Sequence, residues 1–368
     1  MRVTMACALA MSVSVVALSA AWAQNAPMRE PAPETLNAPA AIVAPEPTTA
    51  PAPAPMPAAR TEAAAPPAPA PITRSQPTPP PAPRPMASTT TNCSNPNGFD
   101  SFRTATINTA EGPAFGSEKN RQFDFLRDGE VVLTFDDGPK RPSTLTVLKI
   151  LADYCIKATF FPIGFNAIYE PGILKQVAAA GHTIGSHTWT HQILNKTKGS
   201  RPIGNGKRET RDFVPKDEIE MGISAVSMAL GGSGEASFFR FPGLVDPPEL
   251  KQYLRERNIA TVSADIDSND YVSKLYHKKP EKLVADVMAK LKKYGKGILL
   301  MHDIHQVTVD ALPDLLAQLK ANGYKIVHMR AKTPVTALSQ YDAMVLKDQQ
   351  LPTLSNRPLS SVVTFDDE

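Results

Sequence analysis

Two short clusters in this chain have the residue types and spacing to do chemistry. Asp136 and Asp137 stand side by side in Thr134-Phe135-Asp136-Asp137-Gly138-Pro139. They close a run of strand character that Gly-Pro stops at once. Side chains alternate in direction along a strand, so one carboxylate can hold a metal while its neighbour stays available as a base. His187 and His191 stand four apart in Ser186-His187-Thr188-Trp189-Thr190-His191. On a helical turn that spacing puts both rings on one side, which suits a single ion. With a carboxylate from the first cluster they complete a three-ligand set, Asp137, His187 and His191. Three protein ligands leave one position open for water, the pattern of a catalytic zinc site. Zinc is the favoured ion, and cobalt, manganese or nickel suit the same ligands. A zinc peptidase of the HExxH kind is disfavoured, because Thr188 stands where that motif needs glutamate.

The elements that must position these groups can be read from periodicity. Short apolar runs at 131–135, 158–161, 183–186, 238–241, 260–263, 298–301 and 324–327 predict strands. Helical spacing lies between them: Leu145, Leu148 and Leu151; Ile219, Ile223 and Val226; Leu283, Val287 and Leu291; Leu312, Leu315, Leu316 and Leu319. Gly181, Gly231, Gly295 and Gly323 fall where those helices should stop. Seven strands alternating with helices predict an α/β fold with a mainly parallel sheet, open or closed into an incomplete barrel. In such folds the ligand and catalytic groups gather beyond the carboxyl ends of the strands. Arg240, the segment Asp267-Ser268-Asn269-Asp270-Tyr271, and Leu300-Met301-His302-Asp303 all fall at such ends. Singly, Arg240 reads as an ion-pair former and His302 as a core histidine. Together with the two clusters they predict one site.

These five segments, in this order, resemble the five motifs of carbohydrate esterase family four, the NodB-homology polysaccharide deacetylases. The segments Lys157-Ala158-Thr159-Phe160-Phe161 and Gly181-His182-Thr183-Ile184-Gly185 are similar to that family as well. The resemblance implies a distorted (β/α)7-type barrel and a hydrolase that removes N-acetyl groups from a β-1,4-linked amino-sugar polymer, peptidoglycan or a chitin-like oligosaccharide. It implies Asp136 as general base, Arg240 as the partner that orients it, and His302 as general acid supported by Asp270. It also implies the backbone of Gly243 as an oxyanion donor, with Leu300 and Tyr271 lining the acetyl pocket. Two positions depart from the pattern: Gly243 replaces a large aromatic and Tyr271 a tryptophan, and both bear on groove shape. An O-deacetylase of acetylated polysaccharide, or a non-catalytic envelope module that binds glycan, is the competing expectation.

Composition sets the frame. Residues 1–23 read as an export signal, with an apolar run ending in Ala21-Trp22-Ala23; an uncleaved anchor is the alternative. Residues 24–92 are dominated by Pro and Ala and hold more than half of the 36 prolines. They predict an unfolded linker, either a plain spacer or a reach toward cell-wall polymer. Residues 93–119 are an approach segment, 120–342 the catalytic domain and 343–368 a flexible tail. The chain is expected to be exported, periplasmic or secreted, without stable membrane insertion once the signal is cleaved. Its net charge of +3 argues against nucleic acid. Cys93 and Cys155 either pair in an oxidising space or leave Cys155 a buried thiol. The basic stretch 194–215 is either an exposed insertion or a flap beside the groove.

Overall fold

The computed structural model describes residues 88–90, 93–202, 207–232, 236 and 238–349. The expected signal, nearly all of the Pro/Ala-rich stretch and the chain beyond residue 349 lie outside the described residues. The strands are β1 Ser88–Thr90, β2 Ser101–Ile107, β3 Ala114–Phe115, β4 Glu130–Asp136, β5 Thr159–Phe161, β6 Thr183–Ile184 and β7 Lys198–Pro202. They continue as β8 Arg208–Asp212, β9 Phe238–Phe239, β10 Ala260–Val262, β11 Ile266–Asp267, β12 Gly297–His302 and β13 Lys325–Ala331. The helices are α1 Ser143–Asp153, α2 Gly164–Tyr169, α3 Pro171–Ala179, α4 Pro215–Ala229 and α5 Pro248–Glu256. After them come α6 Ser273–Tyr276, α7 Pro280–Tyr294, α8 Gln306–Ala321 and α9 Ser339–Asp348.

Parallel pairing dominates. β4 carries β12 along its whole length, from Val131 opposite Gly297 to Asp136 opposite His302. It also pairs with β13 near its start and with β5 near its end. The ladder continues from β5 to β6, crosses by a Ser186–Phe239 bridge to β9, and runs on through β10 to β3. On the other side β12 pairs with β11. The result is the mainly parallel, distorted α/β architecture expected.

Alternation along the strands divides the core. Val131, Leu133 and Phe135 of β4 pack beneath Leu148 and Leu151 of α1 and Leu312, Leu315 and Leu316 of α8. Val132 faces the opposite way, with Phe161, Phe238, Val262, Ile298 and Val327. Strands buried on both faces read as unbroken apolar runs, which is why β4 and β12 were legible. The next residues on the Val132 face are Thr134 and Asp136, so the interior turns polar as β4 reaches its carboxyl end.

Three expectations need correction. β2 pairs with β13 in parallel and β3 with β10, so residues 93–119 belong to the sheet system and a domain start at 120 is too late. β1 pairs with β2, which puts a strand at the end of the stretch expected to stay unfolded. At the far end α9 runs to Asp348 with Val345 fully buried, so order does not stop at 342. The basic stretch 194–215 holds an antiparallel hairpin, β7 with β8. Cys93 and Cys155 form a disulfide, Cα–Cα 5.7 Å, tying the segment before β2 to the end of α1. No helix among the described residues is long and apolar enough to cross a membrane.

Candidate metal and acid–base site

The site assembles at the carboxyl ends of β4, β6, β9, β11 and β12. Asp136 is the last residue of β4, and Asp137 leaves the strand with φ 74°, a left-handed conformation that non-glycine residues adopt at a cost. Its backbone is held from both sides: its N–H donates to Phe161 O at 3.2 Å, and Asn166 Nδ2 donates to its carbonyl at 2.7 Å. This kink turns Asp137 away from the direction of Asp136. Asp137 Oδ1 lies 3.6 Å from His187 Nε2 and 3.4 Å from His191 Nε2.

The segment 186–191 is not a helical turn, contrary to expectation. It is a loop in which Thr188 and His191 take φ of 68° and 61°. The loop is tied down throughout. Gly164 N donates to Thr188 O at 2.9 Å and Trp189 N to Glu218 O at 2.7 Å. Glu218 also accepts from Thr190 N and Oγ1, both at 2.8 Å. Gly222 lets α4 approach this closely, since a Cβ there would stand 2.6 Å from Thr188 C. Both rings converge all the same, with centroids 4.9 Å apart.

One ligand atom each from Asp137, His187 and His191 lies within 4.8 Å of the others. Two further observations say that this trio fits a cation. Asp137 Oδ1 is buried and has no hydrogen-bond partner among the described residues, a cost that a bound ion would remove. His187 Nδ1 stands 2.7 Å from the carbonyl of Arg240. A carbonyl only accepts, so Nδ1 carries the hydrogen and Nε2 presents its lone pair to the centre of the site. Burial, then the neighbouring His191, holds His187 well below the usual histidine range, in its neutral ligating form.

Asp136 faces the interior. Arg240, 0% exposed, donates through Nη1 to Asp136 Oδ1 at 2.8 Å and to Thr134 Oγ1 at 2.7 Å. Its other nitrogens donate to Val262 O at 2.9 Å and Ser263 O at 3.1 Å. The guanidinium lies 4.4 Å from the Phe161 ring centroid. Burial pushes the Asp136 carboxyl up, against the pull of Arg240, to about 6. Its Oδ2 is 3.8 Å from His187 Nε2.

His302, directly opposite Asp136 in the ladder, brackets the site from the other side, with Nε2 4.0 Å from Asp137 Oδ2. Its Nδ1 donates to Asp270 Oδ1 at 2.6 Å. Asp270 Oδ2 accepts from His302 N at 2.7 Å and Thr308 Oγ1 at 2.5 Å. Burial pulls His302 down, but the Asp270 bond and charge, with Asp136 and Asp137, outweigh it and raise it to about 9. Tyr271, 51% exposed, stands edge-on to His302 at 5.4 Å. Leu300 is buried two residues before His302, on the same face of β12. Gly243 is exposed with φ 62°, and a Cβ there would stand 3.0 Å from Ile193 Cδ1. Ile193 therefore crowds the side of the groove where a side chain at 243 would begin.

All ten residues predicted for the site lie at this end of the sheet. Sequence reading missed their supports: Thr134, Thr308, Glu218, Asn166 and Asp303. Asp303 is fully buried, accepts from Thr144 Oγ1 at 2.5 Å, and is pushed up by burial to about 7. Each support acts through a partner tens to more than a hundred residues away, so no local pattern marks it.

The family model described as polysaccharide deacetylase matches residues 126–262. A peptidoglycan-N-acetylglucosamine deacetylase of Bacillus cereus is 30% identical over 205 residues, 54% of this chain and 84% of that protein. The chain belongs to the polysaccharide deacetylase family. The peptidoglycan-N-acetylglucosamine deacetylase PgdA of Listeria monocytogenes is 30% identical over 200 residues. The matched region spans about a third of that longer relative, 37% of its length. Among solved structures, the peptidoglycan deacetylase Bd3279 of Bdellovibrio bacteriovorus superposes with a TM-score of 0.52 at 30% identity, over 63% of this chain and 59% of that one. The family match ends at Val262, so Asp270 and His302 join the site through the geometry of this chain.

Proposed function

We propose that this chain is a metal-dependent polysaccharide N-deacetylase, exported from the cell, that hydrolyses N-acetyl groups of a β-1,4-linked amino-sugar polymer. Peptidoglycan is the favoured substrate class and chitin-like oligosaccharides the next; relatives named for each support this. The observation that carries the proposal is the convergence of Asp137, His187 and His191, with Asp136 and His302 on opposite flanks. The disulfide supports an oxidising compartment.

Asp137, His187 and His191 would hold the ion, and zinc suits two imidazoles and one carboxylate. When bound, a divalent ion at this place supplies Lewis acidity, lowering the pKa of a coordinated water toward about 7. Asp136 takes the proton of the attacking water as its oxygen bonds to the acetyl carbon. Arg240 keeps Asp136 Oδ1 engaged, so Oδ2 is the receiving atom. The Gly243 N–H is assigned to the developing oxyanion. As the carbon–nitrogen bond breaks, His302 passes its Nε2 proton to the leaving amine, and Asp270 stabilises the imidazolium until then. Acetate and a free amino sugar are the products. Tyr271 and Leu300 border the acetyl group.

The deciding experiment incubates the mature protein with purified cell wall, with chitooligosaccharides and with acetylated xylan, and measures acetate and free amines. Amine release that chelator abolishes and zinc restores is the expected result. Acetate from xylan alone would move the chain to O-deacetylation. No acetate from any of the three, with metal bound, would make it a glycan-binding module.

A further inference from the structure

The carboxyl-terminal helix α9 reaches back to the loop that carries both imidazoles. Trp189, midway between His187 and His191, is 0% exposed and packs with Met221 and Ala225 of α4 and Val345 of α9. Its Nε1 donates to Asp348 Oδ2 at 3.0 Å. The other oxygen of Asp348 accepts from Arg211 Nη1 of β8 at 2.8 Å. A carboxylate in the last turn of a helix opposes the helix dipole. Asp348 is nevertheless drawn in to 10% side-chain exposure, held by partners that include Trp189 and Arg211.

One carboxylate thus joins three elements: the imidazole loop, the hairpin and α9. The hairpin is anchored to the same loop a second time. Gln192 Nε2 donates to Thr190 Oγ1 and to Ser200 O of β7, both at 2.9 Å. Glu218 fixes the loop backbone from α4. The indole packs on Met221 and Ala225 of α4, and Val345 of α9 completes its cover.

We propose that α9, through Asp348 and Val345 acting on Trp189, is a positioning device that sets the affinity and geometry of the metal site. This rests on the reading of Asp137, His187 and His191 as the ligands. Asp348 touches no reacting atom. Its effect passes through the angle at which the Trp189 loop presents His187 and His191.

The test uses the full chain, with zinc affinity measured by chelator competition and ligand geometry read from the visible absorption of the cobalt-loaded protein. Asp348→Ala should weaken zinc binding about tenfold, the lower end for a residue supporting a metal ligand, and alter the cobalt spectrum. Asp348→Asn keeps an oxygen for the indole and should recover most of the affinity. Trp189→Phe keeps most of the packing but loses the N–H, and should weaken binding to a similar extent. Adding Asp348→Ala to Trp189→Phe should then weaken it little further. Parental zinc affinity with an unchanged cobalt spectrum in Asp348→Ala would overturn the inference while leaving the ligand assignment intact. Should Asp348→Ala fail to fold, Trp189→Phe decides by the same criterion. A parent chain that binds no zinc would overturn the ligand assignment and the inference with it.

Discussion

Asp136 uses its two oxygens differently: Oδ1 is held by Arg240, and Oδ2 looks across the site toward His187. Asp136→Asn should therefore lower acetate release by about 10²–10⁴-fold, the usual contribution of a positioned base, while metal content by elemental analysis stays at the parental level. Turnover that survives the change would remove Asp136 as base. The pH profile follows from the same groups. Asp136, raised to about 6 by burial, is an ionised base only above that pH, so turnover should climb as pH rises through about 6. His302, raised to about 9 by Asp270 and its neighbours, carries its proton only below that pH, so turnover should fall as pH passes about 9. Asp270→Asn removes the anion that raises His302, and the alkaline limb should move to lower pH. An alkaline limb that stays in place would show that a different group sets it. At this scale much was legible, because Asp136-Asp137, His187 with His191, and His302 sit in compact motifs. Thr134, Thr308 and Glu218 were not. Threonine and glutamate are common, and their importance comes only from Arg240, Asp270 and Thr190 arriving beside them in the fold.

The elements hold the site by means that differ in how visible they are beforehand. β4 and β12 are unbroken apolar runs, and their pairing sets Asp136 against His302. Leu133→Ala in that central ladder should cost about 2–5 kcal/mol, as for other large-to-small core changes, read as a lower denaturant midpoint. β3 and β11 have two residues each, too few to show any period. β2 alternates only partly in burial, so its sequence does not announce a strand, although β13 pairs with it over five residues. α9 straddles the expected boundary at 342, and the polar residues that follow it hide where order ends. The disulfide clamps two of these elements. With a sequence separation of 62 residues, chain-entropy reasoning gives about 4 kcal/mol for closing the loop. Replacing both Cys93 and Cys155 by Ser should lower the urea midpoint correspondingly, and reductant should do the same to the parent chain. Identical midpoints in oxidised and reduced protein would dismiss the clamp.

For the molecule as a whole, a buried carboxylate oxygen with no hydrogen-bond partner among the described residues would make folding and metal binding a linked equilibrium. At zinc concentrations 100-fold above its dissociation constant, the native state should gain about 2.7 kcal/mol. Thermal unfolding should therefore shift upward with zinc and downward with chelator, and His187→Ala should abolish the difference. The alternating α/β plan was readable because the central strands are short apolar runs and the long helices between them carry a helical hydrophobic period. The link from β6 to β9 was not, since it depends on a bridge between Ser186 and Phe239 and on Arg240 spanning the interior. That last arrangement constrains how this lineage can drift. A guanidinium with no exposure is tolerated because Asp136 neutralises it, and removing one member of a buried ion pair typically costs about 3–5 kcal/mol. Descendants that abandon hydrolysis should therefore shed both residues together or first lose a metal ligand such as His191, sparing Asp136 as ballast for the arginine.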